Sequence, residues 1–231
     1  MNKAPLIGIS RLRMGTDGHG ITTLVAFHGC PLKCHYCLNP ECNSPDGIKE
    51  HLTAEELYNR IKKDELYFLA TRGGVCFGGG EPLLYSEYIL DVLKQGANKW
   101  HTTIETSLNV EREHLERVLP YVNRFYIDIK DMDSYIYYRY TGSDNERVIE
   151  NLKWLANQDK AKDVIIRIPL IYKFNTEEDQ QNSVDLLKEM GYTRFDLFKY
   201  KTDKKILDRI KRRVNDRIRD ITRLQGIIED E

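Results

Sequence analysis

The chain has 231 residues, 41% of them hydrophobic, and its 35 Lys and Arg nearly balance its 36 Asp and Glu for a formal charge of −1. That balance argues against a chain built to coat a nucleic-acid backbone, and the hydrophobic fraction argues against a disordered one. No apolar run approaches the roughly 20 residues of a membrane helix, and Met1–Pro5 lacks the apolar stretch of a secretory signal, so a soluble cytoplasmic protein is expected.

Thr22–His28 (TTLVAFH) is apolar and β-branched and runs into Gly29-Cys30, the pattern of a buried strand ending in a loop. Thr53 with Glu56 forms a capping-box signature for a helix through Ile61. Gly73–Phe77 reads as a second strand broken by Gly78-Gly79-Gly80, and Ser86 as the cap of a helix carrying Tyr88, Ile89, Val92 and Leu93. The alternation continues with strand at His101–Glu105, helix at Glu111–Leu119, strand at Arg124–Ile129 and helix at Glu146–Ala156. Val164–Ile171 is the next strand, Glu177–Met190 a helix closed by Gly191, and Phe195–Tyr200 the last strand. Six strand-then-helix units predict an α/β fold with a parallel sheet and helices outside it, wound as an open sheet or a barrel. Chemistry in such folds gathers at the C-terminal strand ends. The cysteine loop, the triple glycine, Glu105-Thr106 and Asp128–Lys130 all fall there.

After Asp203, Ile206, Leu207, Ile210, Val214, Ile218, Ile221 and Leu224 recur at helical spacing among dense charges. This predicts a charged amphipathic helix over 203–231, with 1–202 as the main domain.

Four of the five cysteines lie in one short segment. Their odd total and close spacing point to metal or redox chemistry rather than to a disulfide framework. Cys30, Cys34 and Cys37 form C-x3-C-x2-C. Three thiolates on a four-iron cluster leave one iron open for a substrate or cofactor. A closed zinc site completed by Cys42 or His35 is the alternative. Cys76, inside the second strand, reads as a small core residue, Cys42 as a bystander, and His28 as a residue that shapes the loop.

The C-x3-C-x-aromatic-C signature, with Tyr36 as the aromatic, resembles that of the radical S-adenosylmethionine (SAM) superfamily. Within it the chain is most similar to the activating enzymes of glycyl radical enzymes, of the pyruvate formate-lyase activase type. The similar segments are Gly15–Ile21, Phe27–Cys30, Tyr36–Pro40, Gly73–Val75, Gly79-Gly80-Glu81-Pro82, Asp128–Lys130 and Thr141–Ser143, and the likeness runs from about Arg13 to Tyr200.

The resemblance implies a partial (β/α)6 barrel. It also implies one [4Fe-4S] cluster on Cys30, Cys34 and Cys37, with SAM chelating the open iron. Reductive cleavage of SAM then gives a 5′-deoxyadenosyl radical that abstracts a hydrogen from a glycine of a partner glycyl radical enzyme. Gly79, Gly80 and the Glu81 carbonyl are expected to hold the SAM amino group, Lys130 and Arg167 its carboxylate, and Tyr36 its adenine. Glu105, Thr106 and Asp128 are expected to touch SAM or a monovalent cation, although the family usually has Asp where Glu105 stands. A flavodoxin- or ferredoxin-type electron donor and a monomeric state complete the expectation. Lys201 stands where pyruvate formate-lyase activase has a histidine, and no second cysteine-rich insert is present. The competing functions are a radical SAM enzyme acting on a peptide or small molecule, and an iron–sulfur protein without SAM chemistry. Gly79–Pro82 argues against the last, because an electron carrier has no need of it.

Overall fold

The computed structural model describes residues 3–200, so the expected helix over 203–231 lies outside the described residues. The chain opens with a long strand, Lys3–Met14 (β1), turns through the glycines at 15–20 and returns antiparallel as Ile21–Phe27 (β2). Glu50–Thr53 (β3) pairs antiparallel with the other edge of β1. Beyond β2 the sheet is parallel through Gly74–Gly79 (β4), His101–Thr106 (β5), Arg124–Asp128 (β6) and Val164–Leu170 (β7). Phe195–Lys199 (β8) lies at the edge beside β7. The eight strands run β3-β1-β2-β4-β5-β6-β7-β8, an open sheet in which β2 and β4 through β8 are the six strands predicted. Residues through Phe198 form one compact unit; the second, Lys199–Glu231, lies almost wholly outside the described residues.

The crossovers carry helices Ala54–Ile61 (α1), Glu65–Thr71 (α2), Ser86–Lys94 (α3), Arg112–Val118 (α4), Ser134–Thr141 (α5), Glu146–Ala156 (α6) and Glu177–Glu189 (α7). The Thr53–Glu56 capping box starts α1: the Glu56 amide donates to Thr53 Oγ1 at 3.2 Å, and the Thr53 amide to Glu56 Oε2 at 2.7 Å. Gly191 follows α7 with φ of +100°. The expected Ser86 cap is corrected. Tyr85 holds that position, and the Ser86 hydroxyl instead meets His114 Nδ1 at 2.9 Å and accepts from Arg117 at 2.8 Å, tying α3 to α4. Among the described residues no helix is long and apolar enough to cross a membrane.

Successive side chains on a strand point to opposite faces, and the register makes the two faces of this sheet chemically different. One face carries Val25 and Phe27, Val75 and Phe77, Ile104, Phe125 and Ile127, and Val164, Ile166 and Ile168, all buried. Each such side chain contributes roughly 1.5–3 kcal/mol by leaving water. The other face carries Cys76, Thr103, Glu105, Tyr126, Asp128 and Arg167. Cys76 is therefore buried as expected but not in an apolar core. It shares its face with Glu105 and Arg167, and Asp17 and Arg13 also act on it; burial first, then the two acids, pushes its thiol up.

Candidate functional site

The cysteine loop leaves β2 through Gly29, whose φ of +93° favours a residue without Cβ. Backbone and side-chain bonds from two directions fix it. On one side the Gly29 amide donates to the Cys42 carbonyl at 2.7 Å and the Cys30 amide to Asn43 Oδ1 at 3.1 Å, while Asn43 Nδ2 donates to the Leu32 carbonyl at 2.9 Å. On the other, the Lys33 and His35 amides donate to the carbonyls of Thr141 and Tyr140 at the end of α5, at 2.8 and 3.1 Å. His28 Nε2 meets the Ser44 carbonyl at 2.8 Å, a loop-shaping contact.

All five cysteines are free; Cys30, Cys34 and Cys37 are partly exposed, Cys42 and Cys76 buried. Among the described residues no three His, Cys, Asp or Glu side chains converge on a single ion. Burial pushes the Cys34 thiol up to about 12 against the pull of Lys130. A hydrogen bond from Cys42, with help from the Asn39 backbone and Lys130, lowers Cys37 to about 7 despite its burial.

The glycine turn lies directly against this loop. The Gly80 amide donates to the Phe27 carbonyl at 2.9 Å and the Glu81 amide to the Gly29 carbonyl at 2.8 Å, while Asn39 Nδ2 donates to the Gly79 carbonyl at 3.1 Å. The approach requires glycine. A Cβ on Gly80 would stand 2.1 Å from the Gly29 oxygen, and one on Gly79, whose φ is +96°, 2.7 Å from Ala26 Cα.

Glu81 turns its side chain inward. Its buried carboxylate accepts from Thr106 Oγ1 at 2.7 Å, the Ser107 amide at 2.9 Å, Ser107 Oγ at 2.7 Å and the Leu83 amide at 3.2 Å. Burial raises its pKa against the pull of these donors. The Glu81 carboxylate is thus engaged within the protein, and the part of Glu81 that meets the cysteine loop is its backbone. Thr106 does not join the expected group: it shares the apolar-side parity of Ile104, and its hydroxyl serves Glu81 while accepting from the Leu108 amide at 2.9 Å.

The remaining expected residues meet on the polar face. Arg167 Nε donates to Asp128 Oδ1 at 2.6 Å and its Nη1 to Glu105 Oε1 at 3.0 Å, with the guanidinium over the Tyr126 ring. Lys130 Nζ lies 3.1 Å from Asp128 Oδ2. Burial opposes ionisation of Asp128, but Lys130 and Arg167 overcome it and hold the carboxyl below its ordinary value. For Glu105 burial wins over Arg167 and the pKa rises. Two bases expected at a ligand carboxylate and two acids expected at a cation are thus bonded to one another.

Tyr36 stands edge-on to Phe174 at 5.8 Å, 6.1 Å from Tyr140, with its hydroxyl donating to the Tyr172 carbonyl at 3.3 Å. Phe174 also packs 5.0 Å from His35 and 5.1 Å from Tyr140. The loop after β7 and the end of α5 therefore form an aromatic buttress for the cysteine loop. Sequence reasoning missed it, along with the roles of Asn39 and Asn43. The signal available was an Asn after the third cysteine and another beside the fourth, residue types that bond loop backbone readily.

A family model described as the radical SAM superfamily matches residues 24–181. The choline trimethylamine-lyase activating enzyme of Oleidesulfovibrio alaskensis is 30% identical over 77% of this chain and 75% of its own length. The pyruvate formate-lyase-activating enzyme of Clostridium pasteurianum is 39% identical over 61% of this chain and 59% of its own. Among solved structures, that of Streptococcus suis SuiB bound to S-adenosylmethionine superposes with a TM-score of 0.59 at 19% identity. The match covers 85% of this chain, which spans about half the length of SuiB (49%), and it speaks to the fold alone.

Proposed function

This chain belongs to the radical SAM superfamily, and from that premise we propose that it activates a glycyl radical enzyme by abstracting a hydrogen atom from a glycine of that partner. The observation that carries the reading is the C-x3-C-x2-C loop bonded along its edge to the Gly79–Glu81 turn at the C-terminal ends of β2 and β4. The two relatives named as activating enzymes support the choice of reaction.

Cys30, Cys34 and Cys37 are the donors that would hold a [4Fe-4S] cluster, thiolates being the usual ligands of such clusters. With SAM bound, the cluster supplies reductive cleavage of the sulfonium bond to a 5′-deoxyadenosyl radical. The protein's part is to bind, orient and exclude water. Gly79, Gly80 and the backbone of Glu81 form the wall for the SAM amino group. Lys130 provides positive charge for its carboxylate, and Tyr36, fixed by Phe174 and Tyr140, offers a ring edge to the adenine.

Arg167 holds Asp128 and Glu105 and supplies the counter-charge that a monovalent cation would bring, so no such cation is required here. The partner's glycine segment enters at the strand ends, and a flavodoxin or ferredoxin delivers the electron. Residues 1–202 carry the chemistry as a monomer in a reducing cytoplasm, and 203–231 form an appended segment.

The test is anaerobic reconstitution, reduction and addition of SAM. 5′-Deoxyadenosine should form, and Cys34→Ala should abolish both iron binding and product. Adding the co-encoded partner should then give a glycyl radical doublet in its electron paramagnetic resonance (EPR) spectrum. An iron-loaded chain that makes no 5′-deoxyadenosine sinks the reading. Product without a glycyl radical on any partner moves the function to a peptide or small-molecule substrate.

A further inference from the structure

We infer that Tyr137 is a SAM-binding residue: its buried hydroxyl donates a hydrogen bond to the carboxylate of bound SAM, beside Lys130. The inference rests on the proposed cluster and SAM site. Tyr137 is 1% exposed, and its hydroxyl has no hydrogen-bond partner among the described residues. Burying a hydroxyl without a partner is costly, and a buried tyrosine usually finds one. Phenylalanine would fill the same space without that cost.

The placement of α5 gives the direction of the ring. The helix begins at Ser134, just beyond Lys130, and its Tyr140 and Thr141 carbonyls accept from the His35 and Lys33 amides of the cysteine loop at 3.1 and 2.8 Å. Tyr137, Tyr140 and Thr141 stand at i, i+3 and i+4 and so share one face. All three are buried, whereas Tyr135 and Tyr138, off that face, are exposed. The same face meets the cysteine loop, where the Tyr140 ring packs 6.1 Å from Tyr36 and 6.5 Å from His35. A helical side chain leans toward the N-terminus of its helix, so the Tyr137 ring runs from the cysteine loop back toward Lys130. Tyr137 and Leu32 belong to one buried cluster, and Cys30 and Cys34 pack against that cluster. The electrostatics agree: burial raises the pKa of the phenol, and the groups whose charge reaches it are Cys34, Lys130, Glu81 and Cys30.

Within that group the acceptors are already committed. The Glu81 carboxylate takes Leu83, Thr106 and Ser107, and the sulfurs belong to the cluster. A charged lysine offers donors alone. The acceptor that suits the phenol is therefore one that arrives with the ligand, and the anionic end of SAM is the end that Lys130 serves. Lys130 supplies charge and the phenol supplies direction, a charge-assisted hydrogen bond being the stronger kind.

The experiment is isothermal titration calorimetry of SAM into reconstituted full-length protein with the cluster oxidised, so that binding is read without cleavage. Wild type is compared with Tyr137→Phe, which keeps the ring. The dissociation constant should rise about tenfold or more, as expected for loss of a hydrogen bond to a charged group. 5′-Methylthioadenosine, which has the nucleoside and no carboxylate, should bind both proteins equally. In urea unfolding of cluster-free protein, Tyr137→Phe should be as stable as wild type or more so, because no bond within the protein is lost. Equal SAM affinity in the two proteins overturns the inference. A loss of stability in cluster-free Tyr137→Phe also overturns it, by showing a partner for the hydroxyl without SAM. So does equal weakening of both ligands, which would place the hydroxyl at the nucleoside. Wild type that assembles a cluster but binds no SAM sinks the reading of the function itself, a result separate from any difference between the two proteins.

Discussion

Replacing Glu81 with Gln tests whether the inward-facing carboxylate ties the ligand turn to the end of β5. The substitution keeps shape and removes charge. One carboxylate oxygen receives Leu83 N–H and Thr106 O–H, the other Ser107 N–H and O–H. Whichever way the amide is turned, its NH2 faces one backbone N–H that cannot reverse its polarity. A hydroxyl can rotate away; the amide cannot. One buried donor is then left without an acceptor, at about 1–3 kcal/mol, and the surviving bonds fall from charge-assisted to neutral strength. Relief of burying a carboxylate offsets part of this loss, consistent with the upward pKa of Glu81. The net expectation is a loss of about 2 kcal/mol for Glu81→Gln, and about 4 kcal/mol for Glu81→Ala, which removes all four bonds and leaves both backbone donors without an acceptor. Against total stabilities of about 5–15 kcal/mol, both are readable. Equilibrium urea unfolding of cluster-free protein is the assay, because bound cofactor would add its own linkage. A double-mutant cycle with Ser107→Ala should give coupling of about 1 kcal/mol or more. A loss under about 0.5 kcal/mol for both Glu81 variants would refute the reasoning.

Arg167→Leu leaves Asp128 and Glu105 without their shared guanidinium, and removal of one partner of a buried pair costs about 3–5 kcal/mol. Thermal unfolding should show the loss, with partial recovery as pH falls and the two carboxyls take up protons. Asp64 is buried, accepting from Arg11 Nε at 3.0 Å and Thr23 Oγ1 at 2.7 Å. Burial opposes its ionisation, yet these partners hold its pKa below the ordinary value. Its contribution to stability is thus present above an unfolded pKa of about 3.9 and is lost as pH falls through the lower folded value. Asp64→Asn should flatten that acid limb and cost about 1 kcal/mol, a small figure because Arg11 is half exposed. Finally, exchange of sodium and potassium for N-methylglucamine at constant ionic strength should leave 5′-deoxyadenosine formation unchanged. A clear dependence on either ion would show that Arg167 does not replace a cation.

The parallel half of the sheet was legible because β2, β4, β5, β6 and β7 are short segments rich in β-branched and aromatic residues that alternate with segments of helical spacing. The antiparallel edge was not. β1 contains Pro5 and Gly8, and its register slips between Leu6 and Gly8 and again between Ser10 and Arg13, so no clean alternation survives. β3 is four residues long, and its last residue doubles as the cap of α1. α5 was missed because Ser134–Thr141 is crowded with aromatics that favour strands as much as helices. Its boundaries come from Asp133, which caps the Ile136 amide at 2.8 Å, and Gly142 at φ of +73°. Motif residues named one by one also said little of their pairings. Whether Arg167 faces a ligand or an acid depends on the register of β6 with β7, which sets Asp128 opposite Arg167, and sequence spacing does not fix that register.

That register joins the polar face to the cysteine loop. Glu105 and Asp128 carry two negative charges and Arg167 and Lys130 two positive ones, so the four together are neutral, which lowers the penalty for burying them. Asp128 is the shared member: one oxygen takes Arg167 and the other Lys130. Lys130 in turn is close enough to pull on the thiols of both Cys34 and Cys37. A change at Arg167 therefore reaches the cysteines through two contacts. Freed from Arg167, Asp128 would hold Lys130 more tightly and draw its charge from the sulfurs. Arg167→Leu should thus disturb the cluster's environment as well as the fold, whereas Asp64→Asn, which lies outside this chain of contacts, should alter stability alone. EPR spectra of the two reconstituted variants would separate these effects, and identical spectra would show that Asp128 does not couple the polar face to the cysteine loop.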